Sequence, residues 1–210
     1  MWEKHKTFWS QKLFAYNALI GIVFLAVALI ANHYANSYAT AQASNNVTDI
    51  FLNNLPVVDV RLIFSEGAML FLLFLAAVLL YEPKYISFTL KSLAVFVLIR
   101  SFFLILTNLA PPADQILVSP TDFISSFSSG GDFFFSAHTG LPFLLAFIFW
   151  DKKLLRYIFF ISSVVGGAIV LLGHLHYSID VFSAFFISFA VFHVCKNLFP
   201  KDYKLTINQA

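Results

Sequence analysis

The sequence predicts an all-α polytopic membrane protein: one domain over residues 1–210, crossing the bilayer six times. Three observations carry that expectation. Hydrophobic residues make up 60% of the chain and charged residues only 11%, against about 25% charged in a soluble domain. Mean hydropathy is +0.81, so too few charges remain to solvate a globular surface. The apolar residues gather into six runs of roughly the 20 residues that a spanning helix needs.

The runs are Leu13–Ala31, Leu62–Tyr81, Tyr85–Leu106, Phe133–Trp150, Leu154–Leu172 and Ile179–Phe199. The first is longer than the 7–15-residue core of a signal peptide, so an uncleaved first helix is expected. The links after Tyr81 and Trp150 are very short and imply tight helical hairpins. The longer links, Asn32–Arg61, Thr107–Asp132 and Gly173–Ser178, should all lie on the opposite side of the membrane.

Charge placement orients this plan. With both termini cytoplasmic, the inner segments hold Lys4, Lys6, Lys12, Lys84, Lys91, Lys152, Lys153, Arg156, Lys196, Lys201 and Lys204, eleven of the thirteen basic residues. Only Arg61 and Arg100 fall on the outer half, as the positive-inside rule requires. Asp49, Asp59, Glu66, Asp114, Asp122, Asp132 and Asp180 fall outside; acids carry little topological weight, and these are candidates for chemistry. The single cysteine, Cys195, excludes an intrachain disulfide and a cysteine zinc cage. Asn46-Val47-Thr48 fits a glycosylation acceptor, a short pattern that also arises by chance. The net charge of +2 is uninformative as a total; no nucleic-acid partner is expected.

Ionisable groups inside spans are expensive and face a cavity or a partner. Three sets need such an explanation, all at the outer ends of spans. In the first, Gly130-Gly131-Asp132 leads to Ser136-Ala137-His138-Thr139. With Ser136 as N-cap, His138 sits in the first turn, where unpaired backbone N–H groups favour phosphate. In the second, Gly173-His174-Leu175-His176-Tyr177-Ser178-Ile179-Asp180, the four-residue spacing of His176 and Asp180 would put both on one helix face. The carboxylate would then fix one ring nitrogen and leave the other to attack. The His-x-His spacing also admits a metal reading with Asp132 or Asp180. The third set is Arg100, an anion site or a snorkelling cation. Glu66 is either its structural partner or a member of the same site.

These segments resemble the sphingomyelin synthase family, within the wider type 2 phosphatidic acid phosphatase superfamily. Gly131-Asp132 through Ser136-Ala137-His138-Thr139 resembles the family's Cys-Gly-Asp…Ser-Gly-His-Thr motif. His176-Tyr177-Ser178-Ile179-Asp180-Val181 resembles its His-Tyr-Thr-x-Asp-Val motif. Arg100 through Pro112 resembles a third motif, and Leu55-Pro56-Val57-Val58-Asp59 a fourth more loosely. The matches run in the family's order over a motif-bearing core of about 55–199, on a six-span plan.

The resemblance implies a nucleophilic His176 oriented by Asp180, a phosphohistidine, and His138 as acid and then base. It also implies substrate contacts from Arg100, Asp132, Ser136, Tyr177 and Glu66, with no metal or other cofactor. Donor and acceptor would be a membrane glycerophospholipid and a lipid alcohol, ceramide or diacylglycerol. Water could finish the reaction in a phospholipase-C-like way. Ala137 and Gly130 depart from the motif without removing a chemical group. The Ser-Arg pair that phosphatase members carry six residues before the nucleophile reads Ile169-Val170 here, which favours transfer over simple phosphatase action. A lipid-phosphate phosphatase is the alternative. A non-enzymatic transporter or scramblase is the reading from another class, which the polar-poor inner halves of the spans disfavour.

Overall fold

The computed structural model describes residues 2–116 and 134–207. The helices are α1 (Trp2–Trp9), α2 (Lys12–Gln42), α3 (Arg61–Tyr81), α4 (Ile86–Leu104), α5 (Ala137–Ile148), α6 (Lys153–Leu172), α7 (Ser178–Leu198) and α8 (Pro200–Ile207), with 3-10 turns at Leu52–Asn54 and Pro83–Tyr85. Five helical segments are long and apolar enough to cross a membrane: Lys12–Gln42, Arg61–Tyr81, Pro83–Leu104, Lys153–Leu172 and Ser178–Leu198.

The fourth expected span, Phe133–Trp150, differs. Its helix, α5, has 12 residues, a rise of about 18 Å against a hydrocarbon core of roughly 30 Å. Ser136 is extended (φ −61°, ψ 118°) and starts the helix late, while Phe149 leaves it early. The apolar run is real, but only its middle is helical.

The first helix errs the other way, continuing through Asn32 to Gln42. Its buried residues, Phe14, Ala18, Gly21, Ala28, Asn32, Ala35, Asn36 and Ala39, form a mostly small-residue stripe facing α4. Small side chains let two backbones approach closely; a Cβ on Gly21 would lie 3.0 Å from Leu90 Cβ. Polar Asn32 belongs to this seam because its Oδ1 accepts from the Ser101 hydroxyl at 3.3 Å.

α4 is the central helix, with 61% of its span buried against 22–39% for the others. It packs on α2, α5 and α7, and α5 packs on α6 and α7. This buried helix carries two cations nine residues apart, about 13.5 Å of rise, one toward each end of the bundle. Lys91 pairs with Asp202 of α8 at 2.7 Å and donates to Asn17 Oδ1 at 3.2 Å. Ser87 donates to the other Asp202 oxygen at 2.7 Å. At the same end the Tyr85 hydroxyl bonds Asp151 (2.6 Å), and Lys152 reaches Glu82 (3.4 Å), tying the two short hairpin turns together.

The longer links meet at the other end. The Ser44 amide donates to the Asn108 carbonyl at 2.8 Å, Ala110 to Asn45 at 3.2 Å, and Val58 to Leu172 at 2.8 Å.

Glycines bring α5 and α6 into contact there. A Cβ on Gly166 would land on the His138 carbonyl oxygen, and one on Gly167 would lie 3.0 Å from Val181 Cγ1. Gly166→Ala is therefore expected to destabilise by about 1–3 kcal/mol, as overpacking does. Gly67→Ala is the control: its Cβ meets only Ile63 Cγ2, at 3.8 Å, so removing a helical glycine should stabilise by up to ~1 kcal/mol. Thermal unfolding in detergent micelles reads both, and equal shifts would disprove the packing account.

Candidate active site

The site is built at the α6–α7 turn. α6 ends with the Leu175 amide on the Val170 carbonyl (2.8 Å) and the His174 amide on that of Leu171 (3.0 Å), a pattern that puts one residue in the left-handed region. The sequence offers Gly173 for it, yet Gly173 has φ −84° and His174 has φ 50°. Gly173 is needed for space, since a Cβ there would meet Val60 Cγ2 at 2.6 Å. His174 takes the strained position, buried, with no hydrogen-bond partner for its Nε2 among the described residues.

His176 follows in the linker, ahead of α7, whose N-cap is Tyr177. The expected helical face shared by His176 and Asp180 is therefore not what joins them. Asp180 is the third residue of α7 and folds back over the helix start. Its Oδ2 accepts from the Tyr177 amide at 2.9 Å and lies 3.4 Å from His176 Nδ1. One carboxylate thus caps the helix and faces the imidazole. His176 is 5% and Asp180 0% exposed, so the pair is screened from water.

Asp49 also holds the start of α7. Its Oδ2 accepts from the Ser178 amide at 2.7 Å, while its Oδ1 accepts from the Phe51 and Leu52 amides at 2.8 and 3.1 Å. Burial pushes the Asp49 carboxyl up, but these hydrogen bonds outweigh it and leave the group below its ordinary range. The Tyr177 hydroxyl donates to the Ala110 carbonyl at 2.9 Å and accepts from the Val47 amide at 3.3 Å. Burial pushes the phenol up against the Val47 hydrogen bond, and the charges of Asp180 and Asp49 add to the rise, keeping it protonated.

α5 contributes the other half. Ser136 occupies the expected N-cap position, but its side chain makes no capping bond. Its amide donates to the Asp180 carbonyl at 3.1 Å, which joins the starts of α5 and α7. His138, in the first turn, stacks on Phe64 of α3 with centroids 4.2 Å apart. Ser163 of α6 donates to the Thr139 carbonyl at 2.6 Å and fixes that turn. Arg100 is buried and donates from Nε to the Phe135 carbonyl at 2.8 Å. His176 and Arg100 both lie close enough for their charges to act on His138 and on Asp180.

His138, His176, Asp180, Ser136, Tyr177 and Arg100 are thus brought to one end of the bundle. Glu66 is exposed on α3, whereas Arg100, Ser136, His176, Tyr177 and Asp180 are buried and His138 is half-buried. Asp132 lies outside the described residues. Asp59 is exposed and tied to its neighbour: hydrogen bonding to Arg61 holds its carboxyl down at about 2. Among the described residues no three His, Cys, Asp or Glu side chains are grouped to hold a metal. Sequence reasoning gave Asp49 no specific role and missed Phe64, one in an aperiodic loop and the other inside an apolar run. Ser136 Oγ, His138 Nε2 and Asp180 Oδ1 are buried without hydrogen-bond partners among the described residues. Buried polar atoms are rarely left so, and here donor-capable and acceptor atoms cluster at the start of two helices.

The fold and site define a class: a multi-helix, membrane-type protein with a buried histidine facing a carboxylate and a second, half-buried histidine at the same end of the bundle. Residues 129–198 match the family model described as PAP2 superfamily C-terminal. The matched segment holds Ser136, His138, His176 and Asp180; Asp49, Phe64 and Arg100 lie outside it. No curated protein matches the chain.

Proposed function

We propose that the protein is a membrane-embedded lipid-phosphate phosphatase that works through a phosphohistidine on His176. The observation that carries this reading is the convergence of an Asp180-facing His176 with a second histidine whose Nε2 is buried and has no hydrogen-bond partner among the described residues. The PAP2 match over the same residues supports the reaction class.

His176 Nδ1 donates to Asp180, which leaves the lone pair on Nε2 to attack phosphorus. The bond from phosphorus to the lipid oxygen breaks, and His138 gives that oxygen its proton. Water then attacks the phosphohistidine, losing a proton to His138, and the P–N bond breaks to release phosphate. Splitting the displacement lowers each barrier. Arg100 and the open start of α5, with the Ser136 hydroxyl, stabilise the charge on the phosphoryl oxygens.

Headgroup transfer is the second reading. Ile169-Val170 stands where phosphatases carry Ser-Arg, and the burial of His176, Ser136 and Asp180 favours a lipid alcohol over water as acceptor. The charge asymmetry supports placing the site on the outer face, with both termini cytoplasmic.

The deciding experiment follows the phosphorus label. Purified protein in mixed micelles receives labelled phosphatidic acid or headgroup-labelled phosphatidylcholine, each with and without ceramide or diacylglycerol. Inorganic phosphate from phosphatidic acid is expected. Label on a new lipid would replace hydrolysis by transfer, and no turnover of either lipid would end both readings.

A further inference from the structure

We propose that Asp49 is a positioning residue for His176: its carboxylate clamps the His176-Tyr177-Ser178 linker from a loop far away in sequence. The proposal rests on His176 being the nucleophile.

His176 precedes α7, so helix hydrogen bonds do not fix its backbone. Its neighbours are fixed by side chains instead. Asp180 Oδ2 takes the Tyr177 amide, Asp49 Oδ2 takes the Ser178 amide, and the Tyr177 hydroxyl is held between Val47 and Ala110. Two of these four partners, Val47 and Asp49, belong to one short strap that follows α2.

A purely local role does not account for Asp49. Its Oδ1 already caps the 3-10 turn through Phe51 and Leu52, a task one oxygen completes and serine or asparagine performs as well. The second oxygen reaches across 129 residues to Ser178 at 2.7 Å, and the side chain is 9% exposed. Charge-assisted bonds of this kind are stronger than neutral ones. The bond also uses an amide at the start of α7 that would otherwise attract an anion. The α5 start, where Ser136 Oγ has no partner among the described residues, then remains the phosphate-facing one.

Two substitutions isolate the contact. Asp49→Ser keeps a hydroxyl for the local cap but is too short to reach Ser178. Ser178→Pro removes the donor end, amide and hydroxyl together: proline is favoured at the first helical position, and Tyr177, at φ −70° and ψ 157°, already has the conformation proline imposes on the preceding residue. With full-length protein and labelled phosphatidic acid in mixed micelles, each variant should lower kcat roughly ten- to hundredfold, as an ångström-scale displacement does. KM should stay within about twofold, and the double variant should be no worse than the poorer single one.

Wild-type kcat in Asp49→Ser, or losses that multiply in the double variant, would overturn the proposal. So would a kcat loss that merely follows a fall in unfolding temperature. His176→Ala is run in parallel. If it stays active, the nucleophile assignment itself fails; if it is dead while Asp49→Ser is normal, only the clamp falls.

Discussion

His176→Ala is expected to lower phosphate release at least a thousandfold with little change in KM, since removing a nucleophile eliminates the covalent route rather than the binding site. His138→Ala should cost about 10²–10⁴, the range for a general acid–base. The two losses should not multiply, because both groups serve the same steps. A trapping experiment separates them. Brief exposure to labelled phosphatidic acid, quenched in alkali where phosphohistidine survives, should label wild-type protein and never His176→Ala. Labelled His176→Ala would move the nucleophile elsewhere. Folding is the control: Asp180 keeps the Tyr177 amide at 2.9 Å without the imidazole, so the α7 cap should persist and the protein should still unfold cooperatively.

The second large effect lies at the opposite end. Lys91 and Asp202 are each 5% exposed at the side chain and 2.7 Å apart. Breaking such a pair by removing one partner costs about 3–5 kcal/mol, because the other charge is left buried. Lys91→Met or Asp202→Ala alone should therefore lower the unfolding temperature sharply, against a total stability of roughly 5–15 kcal/mol. Lys91→Met with Asp202→Leu should recover most of the loss, since apolar replacements of a buried pair are often neutral. Ser87 and Asn17 would both lose their bonds in the double variant, so the recovery should be incomplete. An Asp202→Ala protein as stable as wild type would mean that the pair is not buried in the membrane-embedded protein.

Hydropathy made five long helices legible and misjudged the ends of two. It measures composition, so it read Phe133 to Trp150 as continuous although Ser136 is extended and the helix starts at Ala137. It also stopped the first helix at Ala31, since Asn32 and Asn36 look like loop residues. Their burial in the α2–α4 seam depends on partners such as Ser101, far away in sequence. The pairing of His176 with Asp180 was legible from spacing, but for a different reason. A four-residue interval suits one helix face, and it also suits a capping carboxylate that reaches back past the helix start. Glu66 was grouped with Arg100 on polarity alone, yet one is exposed and the other buried. Asp49 sits among loop residues without periodicity, and only the folded chain brings it to Ser178.

The link between Asp49 and Ser178 has a consequence for biosynthesis. It joins the segment after α2 to the start of α7, 129 positions further along the chain. The chain through Ser178 must leave the ribosome before this link can form. A chain that stalls before His176 would carry its early helices and Asp49 yet lack both His176 and Asp180. On the proposed chemistry, such a chain would not attack the lipids that surround it during insertion.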